Sequence, residues 1–171
     1  VDACIIGGGL AGLTTALELA RRGRKVAVIE QNRVAWGASG RNGGFVTAGY
    51  ATGLDTIRKR TNAADADSLY RLSMEGVEIV RGNIATLGVA GADVTPGILR
   101  VIRHDGADGL KAYQAEMNGR FAERLEFRDR AEVQAELLSA TYHQGLYDPD
   151  GFHFHPLNYA RELAAEIEHL G

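Results

Sequence analysis

The chain of 171 residues is 45% apolar and 24% charged, with a net charge of −3 from 19 basic and 22 acidic side chains. That composition supports a globular chain with a buried core and excludes intrinsic disorder. No run of about 18 apolar residues occurs, which excludes a transmembrane helix, and the balanced charge leaves no basic footprint for nucleic acid.

Residues 2–6 form a continuous apolar run that predicts a buried strand ending at Gly7-Gly8-Gly9. A helix is expected over Leu10–Arg22, with Leu10, Leu13, Ala16, Leu17 and Ala20 on one face and Gly23 as its stop. Val26–Ile29 reads as a second buried strand, ended by Glu30. Strand, helix and strand in this span make a βαβ unit with parallel strands. From Gln31 to about Gly53 both periods vanish and glycines dominate, which predicts an ordered binding loop. A helix follows from about Ala64 to Leu87. Val89 to Ile102 reads as one or two strands broken by a turn at Pro96-Gly97. A helix is expected over Ala107–Phe121, a strand at Leu125–Phe127, and a helix over Ala131–Leu138 capped by Asp129. Tyr142–Tyr147 reads as a strand followed by a turn at Asp148–Gly151. Pro156 suits the first turn of a last helix carrying Leu157, Ala160, Leu163, Ala164, Ile167 and Leu170.

Glycine is 22 of 171 residues, against a usual share of about 7%, and much of the excess falls in two clusters. The first, Gly7-Gly8-Gly9-Leu10-Ala11-Gly12, is a GxGxxG motif between a strand and a helix. Gly7 allows the tight turn, Gly9 lets backbone approach a pyrophosphate, and Gly12 permits close helix packing. The helix N-terminus offers free amides to phosphate oxygens. Glu30, 18 residues after Gly12, can accept two hydrogen bonds from a ribose diol and would repel a 2′-phosphate. A dinucleotide with an unphosphorylated ribose, FAD or NAD, is the expected ligand. The second cluster, Gly37-Ala38-Ser39-Gly40-Arg41-Asn42-Gly43-Gly44, lies where a nicotinamide dehydrogenase would place a helix. Its free amides, with Ser39 and Asn42 as donors and Arg41 as a cation, suit a longer, flavin-bearing ligand.

These two clusters, together with Asp150-Gly151-Phe152-His153-Phe154-His155-Pro156-Leu157-Asn158, resemble the FAD-dependent amine and amino-acid oxidoreductases, the D-amino-acid oxidase, glycine oxidase and sarcosine oxidase family. The GASGRNGG and HPLN wording is most similar to the gamma-glutamylputrescine oxidoreductase branch. The resemblance runs along the whole chain but covers only the opening part of the family's usual length. It implies an α/β fold: a Rossmann-like FAD-binding domain of glutathione-reductase type, with the start of a second, mixed-sheet substrate domain. It implies FAD as cofactor, with Gly7, Gly9, Ala11 and Gly12 at the pyrophosphate. Glu30 and its neighbour Gln31 are then at the ribose, and Ser39, Arg41, Asn42, Gly43 and Gly44 lie along pyrophosphate and flavin. The implied reaction is oxidation of a C–N bond in an amine or amino acid, with hydride passing to the flavin and the imine hydrolysing in water. The partners expected are a small-molecule amine or amino acid and an electron acceptor, oxygen or another, with no nucleic acid and no membrane insertion.

Residues 1–88 are expected to hold the FAD-binding part, 89–155 part of the substrate-binding domain, and 156–171 a helix returning to the first. Rival readings are an NAD-dependent dehydrogenase and a truncated, non-catalytic FAD-fold fragment. The chain begins at Val1 in a strand-like run and stops at Gly171 after a helix-like one, which predicts the front part of a larger enzyme. No histidine lies between Glu30 and Gly53, so no flavin link through histidine is expected there. His153 and His155 flank Phe154 without a third ligand, so no metal is expected. Tyr142, Tyr147 and Phe152 read as core residues first and pocket walls second. Cys4, the single cysteine, is expected as a small buried hydrophobe. The first residues lack a secretory pattern, which makes a cytoplasmic location the default.

Overall fold

The structure, a computed structural model, describes residues 1–171. Its Cα positions group into two units, one of residues 1–44, 78–94 and 154–171, the other of residues 45–77 and 95–153. The sequence places the breaks instead near 88/89 and 155/156.

In the first unit, β1 (Ala3–Ile6) and β2 (Val26–Ile29) pair in parallel, from Ala3 opposite Val26 to Ile6 opposite Ile29. Between them runs α1 (Leu10–Arg21), which buries Leu13, Ala16, Leu17 and Ala20 at the expected helical spacing. Gly23 ends it with φ +72°, a conformation that carries no steric penalty without a Cβ. The last helix, α6 (Pro156–Leu170), packs on α1. Pro156 occupies its first turn, where a missing amide costs nothing. His155 caps it: Nδ1 accepts from the Asn158 amide at 3.3 Å. The buried stripe of α6 is Tyr159, Ala160, Leu163 and Ile167. Phe154 meets the Tyr159 ring edge-on, with centroids 5.3 Å apart at 86°, the arrangement favoured by ring quadrupoles. The Tyr159 hydroxyl is buried beside Asn83, whose Nδ2 lies 3.2 Å away, while Asn83 Oδ1 accepts from Arg21 Nη1 at 2.9 Å. This satisfies the side-chain oxygen and amide of a residue only 4% exposed.

Cys4 is exposed, contrary to expectation. An apolar run in a parallel sheet buries both faces only when both are covered. Here β1 alternates between half-buried and exposed positions, and Ile6 is 89% and Ile29 57% exposed.

In the second unit β6 (Gly145–His153) is the central strand of an antiparallel sheet. On one side it pairs with β4 (Thr95–Val101), on the other with β3 (Phe45–Val46) and β5 (Glu126–Arg128). Two expected turns are absorbed into these strands. Pro96 and Gly97 lie inside β4 at a register shift, with Gly97 at φ +85°. That is tolerated because β4 has only one neighbour, so Pro96 can forgo its donor. Asp148–Gly151 lies inside β6, where Asp148 Oδ1 accepts from the Asp150 amide at 3.0 Å and the Gly151 amide at 2.9 Å. The side chain thus takes the amides that an irregular strand would strand.

Four helices serve this unit. A short α2 (Leu54–Arg60), not foreseen, precedes α3 (Ala63–Leu87), which gives residues 63–77 to this unit and 78–87 to the first. The other two are α4 (Ala107–Phe121) and α5 (Arg130–Leu137). Asp129 caps α5 as expected: its carboxylate accepts from the Glu132 amide at 2.9 Å, and Glu132 accepts from the Asp129 amide at 2.8 Å. This is the reciprocal capping box. The core here is Tyr70, Met117, Phe121 and Leu125, with Ala48, Leu54 and Met74 packed on it. Phe152 is fully buried, and Tyr142 and Tyr147 lie beneath the guanidinium groups of Arg103 and Arg128. The His153 ring lies 5.8 Å from that of Phe45, tilted by 52°, and no three His, Cys, Asp or Glu side chains converge as a metal site would require.

Candidate functional site

The first unit brings the two glycine clusters together. Gly7 leaves β1 with φ +106°, the positive-φ turn that a fingerprint needs at its first glycine. Its amide still donates to the Ile29 carbonyl at 2.7 Å. Gly9 caps α1 without a side chain, so the cap residue itself takes none of the helix's first amides. Gly12 packs so closely that an added Cβ would stand 2.0 Å from the Gly7 carbonyl oxygen.

The loop after β2 folds back on this turn. Ser39 Oγ, in a single 3-10 turn at Ala38–Gly40, accepts from the Leu10 amide at 3.0 Å. A Cβ on Gly9 would also stand 3.0 Å from that oxygen. Ala35 donates its amide to Gly8 O at 2.8 Å and holds φ +57° while only 3% exposed. A left-handed alanine costs about 1 kcal/mol or more, so this contact fixes the loop against a local preference.

Glu30 ends β2 with its carboxylate turned onto the fingerprint. Oε2 accepts from the Gly8 amide and Oε1 from the Asn32 amide, both at 2.8 Å. These amides, Asn32 first and then Gly8, with a smaller contribution from Gln31, hold the carboxyl below its ordinary range against a small opposing effect of burial. Each oxygen keeps a lone pair for a further donor.

Asn42 holds its own loop. Its Nδ2 donates to Ala38 O at 2.8 Å and Ser39 O at 3.1 Å, and its Oδ1 accepts from the Gly44 amide at 2.7 Å. Gly44 has φ +69°, and a Cβ there would lie 1.9 Å from the Phe154 carbonyl. Arg41 stacks over the Trp36 ring at 4.1 Å and lines a cavity of about 380 Å³ with Arg33, Leu157 and Arg161. Ala11, Gln31 and Gly43 complete the candidate set; Ala11 is exposed in the first turn of α1, Gln31 and Gly43 are exposed in the loops. Sequence reasoning passed over the Gly8 and Leu10 amides, because a backbone donor carries no residue-type signal. It also passed over Ala35, whose left-handed conformation an alanine does not advertise.

A family model described as DAO, FAD dependent oxidoreductase, matches residues 2–171. The chain is 38% identical over 160 residues to gamma-glutamylputrescine oxidoreductase of Escherichia coli, covering 93% of this chain and 37% of the relative. It is 34% identical to the probable oxidoreductase OrdL of Haemophilus influenzae, covering 99% of this chain and 40% of the relative. The chain therefore spans about two-fifths of the length of these relatives. Among solved structures, glycine oxidase from Geobacillus kaustophilus superposes with a TM-score of 0.79 at 20% identity, over 99% of this chain and 45% of the other. Glycine oxidase from Bacillus cereus gives 0.75 at 23% identity, over 99% of this chain and 44% of the other. That likeness shows the α/β fold of the amino-terminal part of such enzymes, and the family's cofactor is FAD, not NAD. The chain belongs to the FAD-dependent oxidoreductase family typified by D-amino-acid oxidase.

Proposed function

We propose that this chain forms the FAD-holding front part of an oxidoreductase that oxidises the C–N bond of an amine or amino acid. The single observation that carries the reading is the Ser39 hydroxyl seated on the α1 N-terminus while Glu30 closes the Gly8 turn. Turn, helix start and carboxylate are thereby assembled in one place. FAD fits this donor set: the fingerprint glycines put no side chain of their own before the α1 start, Ser39 Oγ takes the Leu10 amide, and the Glu30 oxygens retain lone pairs for a ribose diol.

Gly9, Ala11 and Gly12 would hold the pyrophosphate through backbone amides, and Gly7, whose own amide is taken by the Ile29 carbonyl, would supply the turn that brings it close. Glu30, with Gln31 beside it, would take the ribose, and its lowered pKa keeps it an acceptor across the neutral range. Ser39 and the amides of Gly43 and Gly44 would lie along the pyrophosphate and flavin. Asn42 would keep that loop in shape, and Arg41 would supply the positive charge. Bound flavin supplies the hydride acceptor for an amine carbon. The first unit is then the cofactor half and the second the start of the substrate half.

The substrate class favoured by the relatives is an amine of the gamma-glutamylputrescine kind, with oxygen or another acceptor removing the electrons. No helix is long and apolar enough to cross a membrane, and a cytoplasmic setting is the proposed one. The test is to purify the full-length protein, record its visible flavin spectrum, and add a panel of amines and amino acids without oxygen. Bleaching by an amine, with imine-derived carbonyl in equal amount, is the expected result. A colourless protein, or flavin that no amine or amino acid reduces, would overturn the reading.

A further inference from the structure

The first unit carries a cavity of about 380 Å³ between the loop that follows β2 and the first turns of α6. Arg33, Trp36 and Arg41 wall it from the loop, Leu157 and Arg161 wall it from the helix, and no carboxylate lines it. All three arginines are exposed, and none of them ion-pairs within the chain. Acidic side chains outnumber basic ones, 22 against 19, so this wall runs against the overall balance. Of the residues placed along FAD, only Arg41 borders the cavity; the fingerprint, Glu30 and Ser39 do not.

Close packing fixes the wall. The buried Ala35 donates its amide to Gly8 O at 2.8 Å. A Cβ on Gly40 would stand 2.5 Å from Ala35 O and 3.1 Å from Leu157 Cδ1, so the loop lies directly on α6. Arg41 is held as well, its guanidinium carbon 4.1 Å from the centre of the Trp36 ring. Stacking uses the face of a guanidinium and leaves its edge N–H groups free, which pre-organises Arg41 for a pair of oxygens. Trp36, Val34 and Leu157 put apolar surface beside the three cations. Scattered surface arginines are served by water and need no partner. Three drawn around one concavity repel one another, and their summed field concentrates anions there.

We propose that this cavity binds a small organic phosphate, with its phosphoryl head on Arg33, Arg41 and Arg161 and its apolar body against Trp36 and Leu157. A phosphate monoester carries about −1.5 to −2 charges near neutral pH and three acceptor oxygens, and guanidinium forks take such oxygens two at a time. A carboxylate brings one charge and leaves most of the cationic wall uncompensated. A bare phosphate ion leaves the indole and the leucine in water. The volume, about 380 Å³, falls at the lower end of the range of about 300–1,000 Å³ for small-molecule pockets, which suits a small ester. The site does not depend on the amine oxidation proposed above.

The experiment is calorimetric titration of the FAD-loaded full-length protein with phenyl phosphate, phenyl sulfate and inorganic phosphate. Phenyl sulfate has the shape of the first probe with a single charge, and inorganic phosphate lacks the body. Phenyl phosphate is expected to saturate one site and to bind about tenfold more tightly than either of the others. Arg33→Gln and Arg161→Gln, both at exposed positions, should each weaken it about tenfold. Arg24→Gln removes the same charge at an exposed position outside the cavity. It should change the affinity less than about twofold in 0.1 M salt, where distant charges are screened. Trp36→Leu should narrow the gap between phenyl phosphate and inorganic phosphate. The flavin spectrum, followed through each titration, should show no release of FAD. Absence of saturable binding, equal losses in Arg24→Gln and the two cavity variants, or an unaltered gap in Trp36→Leu would overturn the proposal. So would phenyl phosphate that binds only FAD-free protein or expels FAD, because the three arginines would then belong to the cofactor site.

Discussion

The Leu10 amide donates to Ser39 Oγ at 3.0 Å, across 29 residues of sequence, so the second glycine cluster supplies the side-chain cap that Gly9 lacks. An uncapped helix start normally leaves its first amides to water or a ligand. Here Ser39 takes the first of them. Ser39→Ala is expected to destabilise the first unit by about 1 kcal/mol. It should also weaken FAD retention without changing the far-ultraviolet dichroism. A thermal melt with and without added FAD checks both effects. An unchanged melting point would show that the Ser39 contact contributes nothing.

Glycine substitutions separate close packing from mere turn chemistry. A Cβ at Gly12 would stand 2.0 Å from the Gly7 carbonyl, and one at Gly44 would stand 1.9 Å from the Phe154 carbonyl. Both neighbours are backbone and cannot swing away. Gly12→Ala and Gly44→Ala should each cost about 2 kcal/mol or more, as overpacked sites do. Gly37, beside which a Cβ would meet nothing within 4 Å, is the control. Its alanine variant should melt within about 1 °C of the parent, given the small effect of unstrained surface changes.

What the sequence made legible were the features written locally. The spacing of Leu13, Ala16 and Leu17, the stop at Gly23, the capping box at Asp129 and Pro156 at a helix start all lie within a few residues of what they control. What it hid depends on neighbours. Cys4 stands in an apolar run, yet whether a strand face is covered is decided by elements far away in sequence. Pro96-Gly97 and Asp148-Pro149-Asp150-Gly151 have turn chemistry, yet β4 is an edge strand and Asp148 rescues its own amides. A cavity of about 550 Å³ walled by Tyr70 of α3, Arg100 of β4 and Tyr113 of α4 draws on three elements, and no spacing rule joins them. The fingerprint was legible because strand, turn and helix succeed one another directly.

Acid should loosen the Glu30 contact later than it would loosen an ordinary carboxylate. The Asn32 and Gly8 amides lower the carboxyl from its usual value of 4.5. A depressed folded value means that the stabilisation is complete above the unfolded value and is lost only as pH falls through the folded one. Melting points from pH 6 down to about pH 3 should therefore fall more steeply in the parent than in Glu30→Gln, which has no charge to lose. At neutral pH the same variant should bind FAD about tenfold more weakly, from the loss of charge-assisted hydrogen bonds. Parallel acid limbs in the two proteins would refute the assignment.

Asn83 and Tyr159, 4% and 1% exposed, form a buried polar pair that also holds Arg21. Burial pushes the Tyr159 phenol up, against a smaller opposing effect of Asn83. Asn83→Leu leaves the Tyr159 hydroxyl and the Arg21 guanidinium without this partner, at an expected cost of about 2 kcal/mol. Tyr159→Phe removes a hydroxyl and leaves one Asn83 amide proton unpaired, at about 1 kcal/mol. Since each single change strands the other's partner, the double variant should be less destabilised than the sum, by about 0.5 kcal/mol or more. Urea denaturation of all four proteins measures that coupling, and strict additivity would show that the two side chains act independently.

The 171-residue chain by itself is expected to hold FAD weakly or not at all. Its parallel sheet has two strands, and such a pair is marginal without further cover. Ile6 at 89% exposure and Ile29 at 57% stand in water at the carboxyl ends of β1 and β2, next to the turn and to Glu30. Movement of these uncovered strand ends in the isolated chain would carry the Gly7 turn and the Glu30 carboxylate with it and weaken the hold on a dinucleotide. After gel filtration with excess FAD, the isolated chain should emerge colourless. Cys4, exposed on β1, gives an internal control. It should react with a thiol reagent at the rate of a free thiol in the isolated chain, and more slowly in the FAD-loaded full-length protein. A yellow isolated chain with one FAD per protein, and a Cys4 protected by that FAD, would show that two strands suffice to build the site.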